Sequence, residues 1–157
     1  LLLLVPRHPQ RFAEVAALID ERRLPFCRRS DGTLPSSSTR VWLGDSMGEM
    51  AAYYALADIA FVGGSLQPVG GHNLLEPAAT GTAILSGPHL HNFADIAKRL
   101  READAMRVVD DAAGLGAALC LLFGALRLPY FTLPFILATW CLLLVSSPVA
   151  SRMRPAP

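Results

Sequence analysis

The residues best suited to chemistry crowd one stretch, IAFVGGSLQPVGGHNLLEPAATG, from Ile59 to Gly81. An apolar run passes into two glycine pairs, Gly63-Gly64 and Gly70-Gly71, and then into His72, Asn73 and Glu76-Pro77. Paired glycines permit positive φ and let backbone come close to a ligand. Asn73 is suited to cap a following helix, with Glu76 at its third position. A carboxylate one turn inside such a helix is equally suited to accept hydrogen bonds from the hydroxyls of a ribose. A capped helix and a ligand site are both compatible with this pattern.

Three further loops carry similar signals. In PRHP, Pro6 and Pro9 stiffen the chain, so that Arg7 and His8 are held outward. A guanidinium there offers a rigid fork of donors for a phosphate or a carboxylate, or is simply a surface arginine. In GDSMGE (Gly44 to Glu49), Ser46 and Glu49 are spaced as a capping box, and the free N–H groups of that helix end can hold a phosphate. In SGPHLHNF (Ser86 to Phe93), His89 and His91 join His72 in an imitation of a metal cluster. No carboxylate spacing supports it, and no metal site is expected. The dinucleotide fingerprint GxGxxG and the phosphate loop GxxxxGK[ST] are absent. The GxSxG elbow and the HExxH zinc motif are absent as well.

Placing these loops requires a framework. Short apolar runs at Leu1 to Val5, 24–29, Arg40 to Leu43, Ile59 to Val62, Ala83 to Leu85 and Met106 to Val109 read as strands. Between them, Gln10 to Arg23, Met47 to Ala57, 73–80 and Asn92 to Glu102 read as helices, the first with Phe12, Val15, Ala16 and Ile19 at helical spacing. Strands that are apolar throughout belong to a parallel sheet covered by helices on both faces. In such open sheets ligands bind beyond the carboxyl ends of the strands, where all four loops fall.

Composition narrows the class. The 157 residues amount to about one domain. All 13 acidic residues and 11 of the 14 basic ones lie in 1–116, a net charge of −2, which leaves no basic stripe for nucleic acid. Cys27, Cys120 and Cys141 are odd in number and widely spaced, so neither a disulfide framework nor a zinc site is indicated, and a reducing, cytoplasmic setting fits. The opening Leu1-Leu2-Leu3-Leu4-Val5, without methionine or a basic leader, reads as a strand at the edge of a longer protein.

The segments LVPRHPQRF, LGDSMGEM and DIAFVGGSLQPVGGHNLLEPAATGTAILSGPHLHNF together resemble the carboxyl-terminal half of the 3-deoxy-D-manno-octulosonic acid (Kdo) transferases, from Leu1 to about Leu119. The resemblance implies the C-terminal half of a GT-B glycosyltransferase, one of two Rossmann-like domains facing across a cleft. It implies transfer of Kdo from CMP-Kdo to a lipid A precursor, lipid IVA, in lipopolysaccharide biosynthesis at the cytoplasmic face of the bacterial inner membrane. It further implies CMP contacts at Pro6, Arg7, Met47, Gly48, Glu49, Asn73, Leu74, Leu75 and Glu76, and no cofactor. Within that frame Arg7 and helix-end amides suit the phosphate, Glu76 the ribose, and the Met47 to Glu49 backbone the cytosine. The general base and most of the acceptor surface belong to an amino-terminal domain outside this sequence, so no catalytic residue is assigned, although Asp45 and Glu49 are carboxylates in the right neighbourhood. The chain alone is expected to be inactive. Two alternatives stand beside this reading: a nucleotide-sugar epimerase-like enzyme of the same fold, and a non-catalytic membrane-associated fragment.

After about residue 119 the resemblance ends. Residues 120–157 form an apolar tail, and Leu128 to Ala150 carry no charge, a length that compares with the ~20 residues needed to span a bilayer core. Tyr130, Trp140, Arg152 and Arg154 suit interface anchors, whereas Pro129 and Pro134 interrupt the span. The tail reads as a membrane attachment, a buried helix hairpin, or a stretch translated out of frame.

Overall fold

Strands without a polar face need cover on both sides, and the order of the elements supplies it. In the computed structural model, which describes residues 1–125, six strands alternate with five α-helices, save that only a 3-10 turn separates the second strand from the third. The strands are β1 Leu2–Leu4, β2 Phe26–Arg28, β3 Val41–Leu43, β4 Ile59–Val62, β5 Ala83–Ser86 and β6 Met106–Val108. The helices are α1 Phe12–Glu21, α2 Met50–Leu56, α3 Leu75–Ala79, α4 Ala94–Glu102 and α5 Ala112–Ala125. All pairings are parallel, in two three-stranded sheets ordered β1-β3-β2 and β4-β5-β6.

Alternation along each strand distributes the cover. In the first sheet Leu4, Val41 and Leu43 pack with Val15 and Ile19 of α1, while Trp42, one residue out of phase, meets Tyr53 of α2 edge-on at 6.2 Å between ring centres. In the second, Val62, Ile84 and Met106 join Leu74 and Ala97 in one cluster, on the side of α3 and α4. Leu85, with Ile59 and Phe61 beside it, packs against Leu115 and Ala118 of α5. The result is an α/β arrangement of parallel sheets flanked by helices.

Helix starts depart from expectation in two places. Gly48 takes φ +80, which breaks helical backbone, so α2 begins at Met50 rather than Met47. Ser46 and Glu49 then meet side chain to side chain, and no capping box forms. At α3 the cap position is Leu74 and Glu76 is the second helical residue, not the third. Asn73 lies one residue earlier and still accepts the Leu75 N–H through Oδ1 at 3.0 Å.

Helix α5 was not anticipated. It is apolar on all sides and carries Gly114 and Gly116, so no 3.6-residue stripe announces it. Its start is marked by Asp111, whose Oδ1 accepts the Gly114 N–H at 2.7 Å. The helix runs through Leu119 to Ala125, and the readings of the tail beyond Ala125 lie outside the described residues. Among the described residues no helix is long and apolar enough to cross a membrane.

Two polar ties fix the strand ends. Ser65, fully buried after β4, donates its hydroxyl to Val62 O at 2.6 Å and accepts the Gly87 N–H at 2.8 Å, while its carbonyl accepts the His89 N–H at 2.9 Å. The loops after β4 and β5 are thereby joined so closely that a Cβ at Gly87 would run into Ser65 O and Leu66 N. In the first sheet the buried Asp45 accepts the Ser30 N–H at 2.9 Å and the Ser30 hydroxyl at 2.6 Å. Arg28 Nε lies 2.9 Å from the same carboxylate, a charge contact without hydrogen-bond alignment. Burial by itself pushes Asp45 up, but Ser30 and the Arg28 charge outweigh it, and the carboxyl sits below its ordinary range.

Substituting Ser65→Ala strands the Gly87 N–H in the core, and urea unfolding is expected to show a loss of about 1–3 kcal/mol. Gly87→Ala is expected to lose at least as much, because the added methyl meets backbone rather than a yielding side chain. For Asp45→Asn the expected loss at neutral pH is about 2 kcal/mol, with Arg28 left unpaired. The folded pKa is depressed, so this stability is fully present above the unfolded value near 4 and is lost as pH falls through the folded value. Parent and variant should therefore converge in acid, as followed by denaturant midpoints across pH.

Candidate functional site

Edge strands β1 and β4 belong to different sheets, and no ladder joins them. The loops leaving their carboxyl ends nevertheless meet: Arg7 Nη1 lies 2.5 Å from His72 Nδ1. Arginine has no lone pair to offer, so it donates and the imidazole accepts, which places the His72 proton on Nε2. Burial and then the Arg7 charge lower the His72 pKa and favour this neutral form. His72 is half-buried with its ring over Gly64, whose φ of +69 and missing Cβ make room for it.

The glycine-rich loop is held from behind. Gly71 N–H donates to Gly64 O at 2.9 Å, and Asn92 N–H reaches Gly70 O at 3.4 Å. Side chains at Gly70 and Gly71 would collide with Asn92, His91 and Leu90. Both residues adopt positive φ, +104 and +76, so glycine is required there by conformation as well as by space.

Beyond this loop, Asn73 and Glu76 act as a pair. Asn73 Nδ2 donates to Glu76 Oε1 at 3.0 Å while its Oδ1 holds the Leu75 N–H. Glu76 is exposed, and a carboxylate with one such bond keeps lone pairs for a ligand. Leu74 is wholly buried, so only its backbone can face a ligand, whereas the Leu75 side chain is 54% exposed. Behind them the half-buried Tyr54 is pushed up by burial and then by the charge of Glu76, and its carbonyl accepts the Thr82 hydroxyl at 2.8 Å.

The Met47 to Glu49 group is built around different partners. Glu49 accepts from Arg29 Nη2 at 2.9 Å, and Ser46 bonds both Glu49 and the Tyr53 hydroxyl. Hydrogen bonds from Ser46 and then Arg29 hold the Glu49 carboxyl below its ordinary range. With its side chain so engaged, this segment offers a ligand mainly backbone, and the open surroundings of Gly48 leave that backbone accessible. Beside it lies a cavity of about 310 Å³, walled by Trp42, Ala52, Tyr53 and Leu56 with Arg29 and Glu49 among its lining.

Sequence reasoning missed Ser65, Arg29 and the partner of His72. Ser65 follows the first glycine pair directly, and a small hydroxyl buried at a strand end was the available signal. Arg29 and the Arg7–His72 contact depend on loop meetings that no local spacing reports. Asp45 is spent on the clamp to Arg28 and Ser30. The histidines do not converge: His72 faces Arg7, His91 lies against Gly70, and His89 is tied through its backbone to Ser65. Among the described residues no three His, Cys, Asp or Glu side chains gather as metal ligands.

No family model matches the chain. Curated relatives do: it is 50% identical over 113 residues to the 3-deoxy-D-manno-octulosonic acid transferase of Haemophilus influenzae, covering 72% of this chain and 26% of that protein. It is 48% identical over 124 residues to the enzyme of the same name from Bordetella pertussis, covering 78% and 29%. The chain thus spans between a quarter and a third of the length of these relatives. Among solved structures it is similar to the C-terminal CMP-Kdo binding domain of WaaA from Acinetobacter baumannii, with a TM-score of 0.73, 37% identity, and coverage of 90% of this chain and 72% of that one. Sequence and fold therefore agree that this chain belongs to the 3-deoxy-D-manno-octulosonic acid transferase family, as the counterpart of its carboxyl-terminal domain.

Proposed function

We propose that this chain is the donor-binding half of a GT-B Kdo transferase, which holds CMP-Kdo while Kdo passes to a lipid A precursor at the cytoplasmic face of the inner membrane. The observation that carries this reading is the likeness, at 37% identity, to a domain described as binding CMP-Kdo. The strand-end loops are consistent with it. Arg7 and nearby backbone amides supply positive potential for the donor phosphate. Glu76, with Asn73 beside it, takes the ribose hydroxyls. Backbone at Met47 to Glu49 lies by the cytosine, and Pro6, Leu74 and Leu75 complete the contacts.

Transfer breaks the bond between the anomeric carbon and the phosphate oxygen, so negative charge grows on the departing CMP. A guanidinium aimed at that phosphate stabilises the charge as it develops. Deprotonation of the acceptor hydroxyl falls to a general base in the amino-terminal domain, and no cofactor or metal is needed.

Thermal unfolding should show the chain stabilised by CMP, by about 2.7 kcal/mol when CMP is at a hundred times its Kd, and by UDP much less. A preference for UDP would point instead to an epimerase-like enzyme, and no stabilisation by either would speak for a fragment that binds no nucleotide. By calorimetry, Arg7→Ala and Glu76→Ala are each expected to weaken CMP on the order of tenfold, from the loss of charge-assisted hydrogen bonds. Affinities equal to the parent for both would overturn the assigned roles. Incubated with CMP-Kdo and lipid IVA, the chain alone should release no Kdo-bearing product, and clear turnover would contradict the division of labour between the two halves.

A further inference from the structure

We propose that His72 is a positioning residue for Arg7: its neutral imidazole holds the guanidinium where the loops after β1 and β4 meet, ready for the donor phosphate. The inference deepens the nucleotide-binding reading and rests on it.

The argument starts from the freedom of an arginine. Arg7 is exposed in the loop that follows a three-residue strand, and fixing such a long side chain on a ligand costs rotamer entropy. A partner that fixes it beforehand removes that cost from binding. His72 is such a partner. Its Nδ1 accepts from Arg7 Nη1 at 2.5 Å, and this leaves Nε and Nη2, the pair that forms a two-pronged bond with phosphate oxygens. The imidazole is itself fixed: its ring lies over Gly64, the adjoining Gly71 N–H is bonded to Gly64 O, and Asn73 is bonded to Glu76 and Leu75. Because β1 and β4 share no ladder, this contact also ties the first sheet to the glycine-rich loop of the second.

Neutrality is essential to the device. A protonated ring has no acceptor to offer and sets a cation against Arg7. Burial most of all, and then the charges of Arg7 and more weakly His8, both on the β1 loop, oppose its protonation and outweigh the backbone of Gly71, which favours it. The contact is therefore present at neutral pH and is lost as pH falls through a His72 pKa lying below the ordinary histidine value.

The test is the affinity of the 157-residue chain for the methyl ester of CMP, a phosphodiester whose charge does not change over the range examined, unlike the second ionisation of a phosphate monoester near pH 6. Calorimetry at neutral pH should show His72→Phe weakened on the order of tenfold. His72→Asn, whose amide oxygen can stand where Nδ1 stands, should remain near the parent. In the Arg7→Ala background His72→Phe should have no further effect, since its influence passes through Arg7. From about pH 7.5 to about pH 5 the parent should lose affinity while His72→Asn stays flat. Equal losses for Phe and Asn, additive losses with Arg7→Ala, or a parent that binds more tightly in acid would overturn the proposal. Parent binding with an unimpaired His72→Phe would overturn it alone, whereas no binding by the parent would overturn the nucleotide reading beneath it.

Discussion

The candidate site depends on one buried hydroxyl. Ser65 Oγ is both donor to Val62 O and acceptor from Gly87 N–H, and through these bonds the loops after β4 and β5 become a single unit. Upon that unit the glycine-rich loop folds back, Gly71 to Gly64 and Gly70 to Asn92. This return brings His72 over Gly64 and within reach of Arg7 from the other sheet. A backbone so rich in glycine pays heavily in conformational entropy, and hydrogen bonds of low exposure are what hold it in one shape.

Much of this was legible beforehand because burial on both faces writes an unmistakable pattern. Val41-Trp42-Leu43 and Ala83-Ile84-Leu85 have no polar side to show, and all six strands appear where such runs occur. The rule that parallel strands end in ligand-binding loops then placed Arg7, Glu49 and Asn73 to Glu76 at one edge. Helix starts were less legible, since they depend on single dihedral angles. Gly48 in a left-handed conformation delays α2 by three residues, and nothing in the spacing of Ser46 and Glu49 distinguishes a capping box from the side-chain contact that forms. Helix α5 escaped notice for the opposite reason, as its uniformly apolar surface has no period to detect.

Side-chain partnerships across loops lay beyond local reading altogether. The sequence distance from Arg7 to His72 is 65 residues, and from Ser65 to Gly87 it is 22. His72 shows the consequence most clearly. Beside His89 and His91 it resembles one of three candidate metal ligands, and the family resemblance assigns it no contact. The fold gives it a different task, because parallel crossovers carry the β1 and β4 loops to the same edge, where an imidazole acceptor meets a guanidinium donor.

The same distribution of partners bears on what the carboxylates of this edge can do. A general base must hold a proton acceptor open to the substrate and must titrate near working pH. Asp45 is closed off by Ser30 and Arg28 and lies below its ordinary range, burial being outweighed by those partners. Glu49 is held low as well, chiefly by Ser46 and Arg29. Glu76 is exposed and engaged with Asn73 at the start of α3. Asp45 and Glu49 are thereby kept charged and fixed, which suits the shaping of loops more than proton transfer. Arg7, by contrast, meets a neutral acceptor rather than a carboxylate, so the contact leaves its charge uncompensated. In the donor-binding role proposed above, that charge would meet the leaving phosphate, and proton abstraction would fall to a carboxylate other than Asp45 and Glu49.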